Sequence, residues 1–199
     1  AGIDLAARRT KMKPDAGDGP AWTLTFPAPT TALLTMPTWV KYKTKWNWTG
    51  FLDDAFAQMD AKGVTKLIVD VRDNEGGNDC GDPILARCID TPLGREGYAR
   101  RVRYRKTQDA LNPYLDTWDR SFRDWGDDAV PREDGFYDLK GETDGDLIAP
   151  KGPRFRGELV VLIDSQNSSA TFQFANAVRK AKLGRLVGAP TGGNLRGIN

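Results

Sequence analysis

The sequence predicts an α/β domain, and three observations carry that prediction. Residues 66 to 71 and 158 to 163 are apolar runs of strand length, of the kind that belongs inside a sheet covered on both faces. A helical apolar stripe, Phe51, Leu52, Phe56 and Met59, precedes the first run. A strand-helix-strand succession occupies residues 158 to 187.

Taken in order, residues 1 to 20 carry Arg8, Arg9, Lys11 and Lys13 and a tail rich in Pro, Gly and Asp, which reads as a linker-like lead-in. Trp22-Thr-Leu-Thr-Phe26 alternates and predicts a strand, followed by a Pro-rich connection. In Val40 to Trp48, lysines at 41, 43 and 45 oppose Tyr42 and Trp46, which predicts an edge strand or extended loop with one apolar face. Those aromatics either line a groove or pack inward. Thr49 is positioned to cap a helix running to about Lys62. After the strand at 66 to 71, Gly81-Asp82-Pro83 marks another helix start.

From Asp109, the residues Leu111, Tyr114, Leu115, Trp118, Phe122 and Trp125 recur at helical spacing, which predicts a helix serving as packing material or as a lid. Phe136 to Gly157 is turn-rich and acidic, so residues 90 to 157 read as an insertion into a core spanning 21 to 199. The strand at 158 to 163 leads through a loop ending near Asn167 into a helix from about Ser168 to Lys182. A strand at Arg185 to Val187 follows. The glycine-rich stretch from Thr191 to Asn199 has no strand after it, and the expectation is a fragment of a longer protein, poorly ordered at this end unless another chain orders it.

Composition sets bounds. A chain of 199 residues is one domain's length. Twenty-nine Lys and Arg against 27 Asp and Glu leave a net charge of +2, so nothing global favours nucleic acid. The basic run from Arg100 to Lys106 is followed closely by carboxylates and reads as a solvated strand face. No stretch has the length of apolar sequence a membrane span requires. Cys80 and Cys88, if both lie on one helix, are about 12 Å apart by axial rise, too far for a mutual disulfide. They are expected to be free thiols, with no metal or cofactor implied.

The two apolar strands end in unusual backbone chemistry. The first runs Lys66-Leu-Ile-Val-Asp-Val-Arg-Asp-Asn-Glu-Gly-Gly77 and the second Glu158-Leu-Val-Val-Leu-Ile-Asp-Ser-Gln-Asn-Ser-Ser-Ala170. Paired glycines can aim N–H groups at an oxyanion, and a serine at a helix mouth gains from the positive end of the macrodipole. Together with Gly184-Arg-Leu-Val-Gly-Ala-Pro-Thr-Gly-Gly-Asn194, these segments resemble the tail-specific (C-terminal-processing) serine peptidases. The likeness is nearer to the branch related to the tricorn core and to interphotoreceptor retinoid-binding protein. It covers roughly residues 20 to 199.

The resemblance implies a ClpP/crotonase-like spiral of strand-strand-helix units, a polypeptide substrate and, from the family alone, a periplasmic or secreted setting. It places the nucleophile at Ser169 and the oxyanion-hole donors at Gly76 or Gly77 and at Ala170, with Ser168 as the helix cap. Asp70, Arg72 and Asp73 become structural groups of the glycine loop. Gly193 and Asn194 fall at the substrate-binding position, with Asn194 where the tail-specific branch carries its general-base Lys; the other branch instead uses a His from a segment ahead of the strand at residues 22 to 26. This chain has Asn194 there and no His at all.

Without the family pattern, Ser168-Ser169 reads as a helix cap and Gly76-Gly77 as a tight turn. Ser165, in the preceding loop, is a weaker nucleophile candidate. Lys180 and Lys182 lie about 16 to 20 Å along the helix from Ser169, too far to take its proton. The base is therefore expected from a missing segment, a second chain or a carboxylate of the insertion. Three functions follow: a serine-type endopeptidase core, a non-catalytic peptide-binding module of the same fold, or a crotonase-like acyl-CoA enzyme.

Overall fold

A computed structural model describes residues 22–95, 100–115, 119–140 and 147–193. The lead-in at 1 to 20 lies outside the described residues. A five-stranded sheet organises the rest, built from β1 (Thr23–Ala28), β2 (Thr31–Thr35), β3 (Lys66–Asp70), β9 (Glu158–Ile163) and β10 (Arg185–Gly188) in spatial order β1-β2-β3-β9-β10. β1 pairs antiparallel with β2, and all the other pairs are parallel. Parallel neighbours require crossovers, and helices supply them: α1 (Trp48–Ala61) between β2 and β3, and α3 (Ser169–Lys180) between β9 and β10. A third helix, α2 (Asp82–Cys88), follows β3.

β2 is the strand that sequence reading passed over as part of the Pro-rich connection. Its alternation is present, with Ala32 and Leu34 fully buried between half-buried Thr31, Leu33 and Thr35, but it is short and flanked by Pro29 and Pro37. The two faces of the sheet are covered unequally, although Val160 on the second face is buried. Leu67, Val69, Leu159 and Val161 share one face and are buried with Leu52, Phe56, Met59, Phe174 and Val178 of the helices, whereas Leu33 and Ile68 on the opposite face are half-buried. Lys66, Glu158 and Arg185 form an ion cluster on that second face.

Residues 40 to 47 form turns and no strand, and Tyr42 is 68% exposed, so no single apolar face exists there. Trp46 instead packs inward, edge-on to Trp22 at 5.1 Å, and the Lys41 ammonium lies 5.3 and 5.0 Å from the centres of the Trp22 and Trp46 rings. The cap of α1 is Asn47, whose side chain accepts from the Gly50 N–H; Thr49 donates its hydroxyl to Asn47 Oδ1.

The insertion between α2 and β9 starts and ends on a two-residue antiparallel ladder of β4 (Leu93–Gly94) and β8 (Leu147–Ile148). Between them β5 (Arg101–Val102), β7 (Tyr137–Leu139) and β6 (Ala129–Pro131) form a small sheet around Trp125, Ala129 and Leu139. The single helix expected from Asp109 to Trp125 is corrected to short 3₁₀ segments at Asp109–Tyr114, Arg120–Arg123 and Gly126–Asp128. Leu115, Asp119 and Asp124 are extended, and the two aspartates accept from the N–H groups of Ser121 and Gly126 two residues on. Such local bonds divert backbone donors from a helix. Leu111 and Tyr114 are exposed, and Trp118 lies outside the described residues.

Arg87 of α2 is fully buried; it is paired with Asp53 of α1, donates to the Pro83 carbonyl at 2.7 Å and stacks 4.8 Å above the Phe56 ring. Cys80 precedes α2 and Cys88 ends it, and both are free thiols. Among the described residues no helix is long and apolar enough to cross a membrane.

Candidate active site

Parallel β3 and β9 are neighbours in register, Asp70 opposite Leu162, so both chains leave the sheet at the same rim. In open parallel sheets this is where ligands gather. The turn after β3 brings Gly76 and Gly77 there with φ of +106° and +132°, conformations that L side chains rarely adopt. A Cβ placed on Gly76 would lie 2.9 Å from both Ser168 O and Ser169 Cβ and 3.1 Å from Ala170 N, so the glycine turn and the start of α3 are in direct contact. Gly77 is pressed in the same way against the Trp39 carbonyl.

Ser169 is the first residue of α3, exposed, with φ of +47°. A non-glycine residue in the left-handed region stores about 1–3 kcal/mol and persists where the surroundings enforce it. Its hydroxyl has no hydrogen-bond partner among the described residues. The Thr171 and Phe172 N–H groups both donate to Ser168 O, at 3.1 and 3.2 Å, and among the described residues the Ala170 N–H has no acceptor. The Gly76 N–H donates to Asn74 Oδ1 at 2.9 Å, whereas that of Gly77 has no acceptor among the described residues. The rim thus holds an exposed hydroxyl with two N–H donors, from Ala170 and Gly77, uncommitted among the described residues. Ser168 occupies the N-cap position, but its hydroxyl does not cap the helix; it donates to the Glu75 carbonyl at 2.7 Å and ties the glycine turn down.

Two buried asparagines that sequence reading missed hold this arrangement. Asn74 donates to Met36 O at 2.7 Å and accepts at Oδ1 from both Gly76 N and the Thr171 hydroxyl, linking the end of β2, the glycine turn and α3. Asn167 donates to the carbonyls of Val71 and Asn74 and accepts from Asp164 N at 2.9 Å. Both are completely buried, and buried amides are retained where every polar atom finds a partner. The available signal was their position: each lies four residues past the end of a strand and two residues before Gly76 or Ser169, in a turn where Asn side chains bond to nearby backbone.

Asp70 clasps Arg72 in a two-point ion pair at 2.9 and 2.7 Å, and that guanidinium keeps its carboxyl below the usual carboxylate range. Asp73 donates its N–H to Asp164 Oδ2 at 2.8 Å. These contacts give Asp70, Arg72 and Asp73 loop-holding partners. The Gly193 N–H donates to Asn167 O at 3.0 Å, which brings the third motif segment to the same loop; Asn194 lies outside the described residues. Lys180 ends α3, eleven residues from Ser169. Ser165 is exposed in the loop before the helix.

Comparison with known proteins fits this geometry. The model of peptidase family S41 matches residues 30–197. No curated protein sequence matches the chain. Among solved structures, a putative peptidase from Parabacteroides merdae superposes with a TM-score of 0.55 at 19% identity, over 89% of this chain and 47% of that one. The photosystem II D1 C-terminal processing protease gives 0.50 at 19% identity, over 85% and 36%. The S499A mutant of CPAF gives 0.51 at 18%, over 81% and 37%. The chain therefore spans about half the length of the first of these and just over a third of the other two. At these identities the likeness concerns the fold, which is α/β and ClpP/crotonase-like. With the glycine turn, the serine-headed helix and the Gly193 segment in place, the family match over 168 residues identifies the chain as a member of peptidase family S41.

Proposed function

We propose that this chain is the serine-bearing core of an endopeptidase that cleaves polypeptides through a seryl acyl-enzyme. Ser169 Oγ attacks the scissile carbonyl, and the N–H groups of Gly77 and Ala170 stabilise the oxyanion; Gly76 contributes by its shape, since its own N–H is committed to Asn74. The observation that carries the reading is the contact between the left-handed Ser169 and the Gly76-Gly77 turn at the ends of two adjacent strands. The proton acceptor comes from a missing segment, a second chain or a carboxylate of the insertion, and Gly193 borders the substrate.

A second reading, a peptide-binding module without catalysis, is favoured by the absence of His from all 199 residues. One experiment separates the two. The chain alone and a longer form extended in both directions are assayed on unfolded protein and on small esters. The peptidase reading expects negligible turnover by the chain alone. It also expects hydrolysis by the longer form that Ser169→Ala lowers by at least about 10³-fold. Peptide binding by both forms with no Ser169-dependent hydrolysis by either leaves the binding module.

A further inference from the structure

The lysine-rich stretch at residues 41 to 45 takes no part in the site described above, yet it is rooted on it. The Asn78 N–H donates to Trp39 O and the Lys41 N–H donates to Asn78 Oδ1, both at 2.9 Å, so the chain leaving Trp39 is pinned beside the Gly76-Gly77 turn. From there it folds back on itself, because the Thr44 N–H donates to Lys41 O at 3.3 Å and the Trp46 N–H to the Thr44 hydroxyl at 3.1 Å. Trp46 packs against Trp22 and Phe51 and fixes the far end.

The charges of this turn are uncompensated. Lys43 and Lys45 are exposed, and among the described residues neither has an ion-pair partner. Lys41 is half-buried, with its ammonium over the Trp22 and Trp46 rings and no carboxylate paired with it among the described residues. Elsewhere cations are matched: Arg95 pairs with Asp79, Arg105 with Asp127 and Arg154 with Asp90. Of the carboxylates on the serine's rim, Asp70, Asp73 and Asp164 act on Arg72, and Asp79 is taken by Arg95. Glu75 is exposed and lacks an ion pair among the described residues, so three lysines stand against it.

Reach and chemistry assign a partner. The turn keeps the Cα atoms of Lys43 and Lys45 within about 8 and about 11 Å of that of Lys41. The positive field of exposed lysines extends about 10 Å at physiological salt, which covers the approach to the glycine turn. An extended peptide advances about 3.3 Å per residue, so carboxylates about three to six positions from the carbonyl at Ser169 would meet these ammonium groups. Single-stranded nucleic acid calls for several stacking rings along a basic groove, whereas Tyr42 is the one exposed ring in residues 40 to 46. An anionic lipid surface calls for a cluster of about four to eight basic residues. We propose that residues 41 to 45 form a docking surface for an acidic segment of the polypeptide substrate, an inference that rests on the peptidase reading and deepens it.

The test is equilibrium binding to the chain of fluorescein-labelled peptides that carry a run of Glu, or of Gln in its place, at one end or the other. One Glu peptide should bind about tenfold tighter than its Gln counterpart in low salt, the sum of a few exposed ion pairs, and the preference should fade at about 0.5 M NaCl. Lys43→Gln combined with Lys45→Gln should remove most of it. Lys140→Gln combined with Lys182→Gln changes the net charge equally at exposed sites and should leave it in place. Urea midpoints of both double variants are measured to show that the fold is kept.

Equal binding of Glu and Gln peptides, a preference untouched by the change at 43 and 45, or an equal loss in the control at 140 and 182 each overturn the proposal. So does tighter binding to phosphatidylserine vesicles or to a single-stranded RNA oligonucleotide than to the Glu peptide. The two readings fail separately. A Glu preference that depends on Lys43 and Lys45, with no Ser169-dependent hydrolysis by the longer form, defeats the peptidase and leaves the docking surface. Ser169-dependent hydrolysis indifferent to Glu or Gln and to the change at 43 and 45 defeats only the docking surface.

Discussion

Replacing Gly76 by alanine probes the contact on which the site is built. The residue sits at φ +106°, where a Cβ costs about 1–3 kcal/mol of backbone strain. The added methyl also falls 2.9 Å from Ser168 O and from Ser169 Cβ, against the roughly 3.5–4.0 Å of an unstrained carbon contact. Overpacking of this kind costs about 1–3 kcal/mol more, giving a total near 4 kcal/mol. Gly63 provides the control, because it too has positive φ, +61°, but nothing lies within 4 Å of its would-be Cβ. There alanine bears only the backbone term, about 1–2 kcal/mol. Urea unfolding of the two variants should therefore differ by about 2 kcal/mol, near 1 M in midpoint for an m-value around 2 kcal/mol/M. Equal midpoints, or a milder effect at Gly76, would refute the close approach of the glycine turn to α3.

Ser169→Gly should raise stability by about 0.5–1 kcal/mol by relieving the left-handed serine while removing the nucleophile, and a loss of stability on denaturant titration would contradict the strain. Asp53→Asn should destabilise by about 3 kcal/mol in chemical denaturation. It should cost more than Arg87→Met, because the first leaves a charge in the interior and the second leaves a half-exposed carboxylate still paired with Lys151. The Asp70 carboxyl titrates below its ordinary value because Arg72 bonds its ionised form, so its stabilising contribution is present above pH 4 and is lost as pH falls through the lower, folded-state value. Urea midpoints should drop below pH 4, and Asp70→Asn should flatten part of that drop. Burial pushes the thiols of Cys80 and Cys88 up to about 12 and about 11, so a thiol reagent at pH 8 should label the native protein slowly and two groups promptly once guanidinium unfolds it.

Legibility in the sequence followed the range of the interactions. β3, β9, α1 and α3 were read within a few residues because their apolar patterns are local and sustained. The serine and glycine positions were singled out by the family resemblance, and they lie at one rim because neighbouring parallel strands end there. β2 was hidden because a five-residue strand between prolines carries little pattern of its own and is fixed by register with β3. The false helix at 109 to 125 arose because aromatic spacing mimicked a helical face, while Asp119 and Asp124 side chains bonded the backbone locally. Asn74 and Asn167 escaped notice since their partners lie up to 97 residues away, and Ser168 was given a cap when its acceptor is 93 residues distant in sequence. The absence of His is a matter of residue type, and composition alone made it visible.

The paired strands β4 and β8 bring Leu93 and Ile148 opposite one another, so the 54 residues between them leave and rejoin the core through ends about 5 Å apart. The excursion between them has its own apolar centre at Trp125, Ala129 and Leu139. Such a pendant behaves as an exchangeable cartridge. Closing a loop of twice or half the length changes the free energy by only about 0.6 kcal/mol. The core can therefore accommodate a different attachment at this point without relearning how to fold.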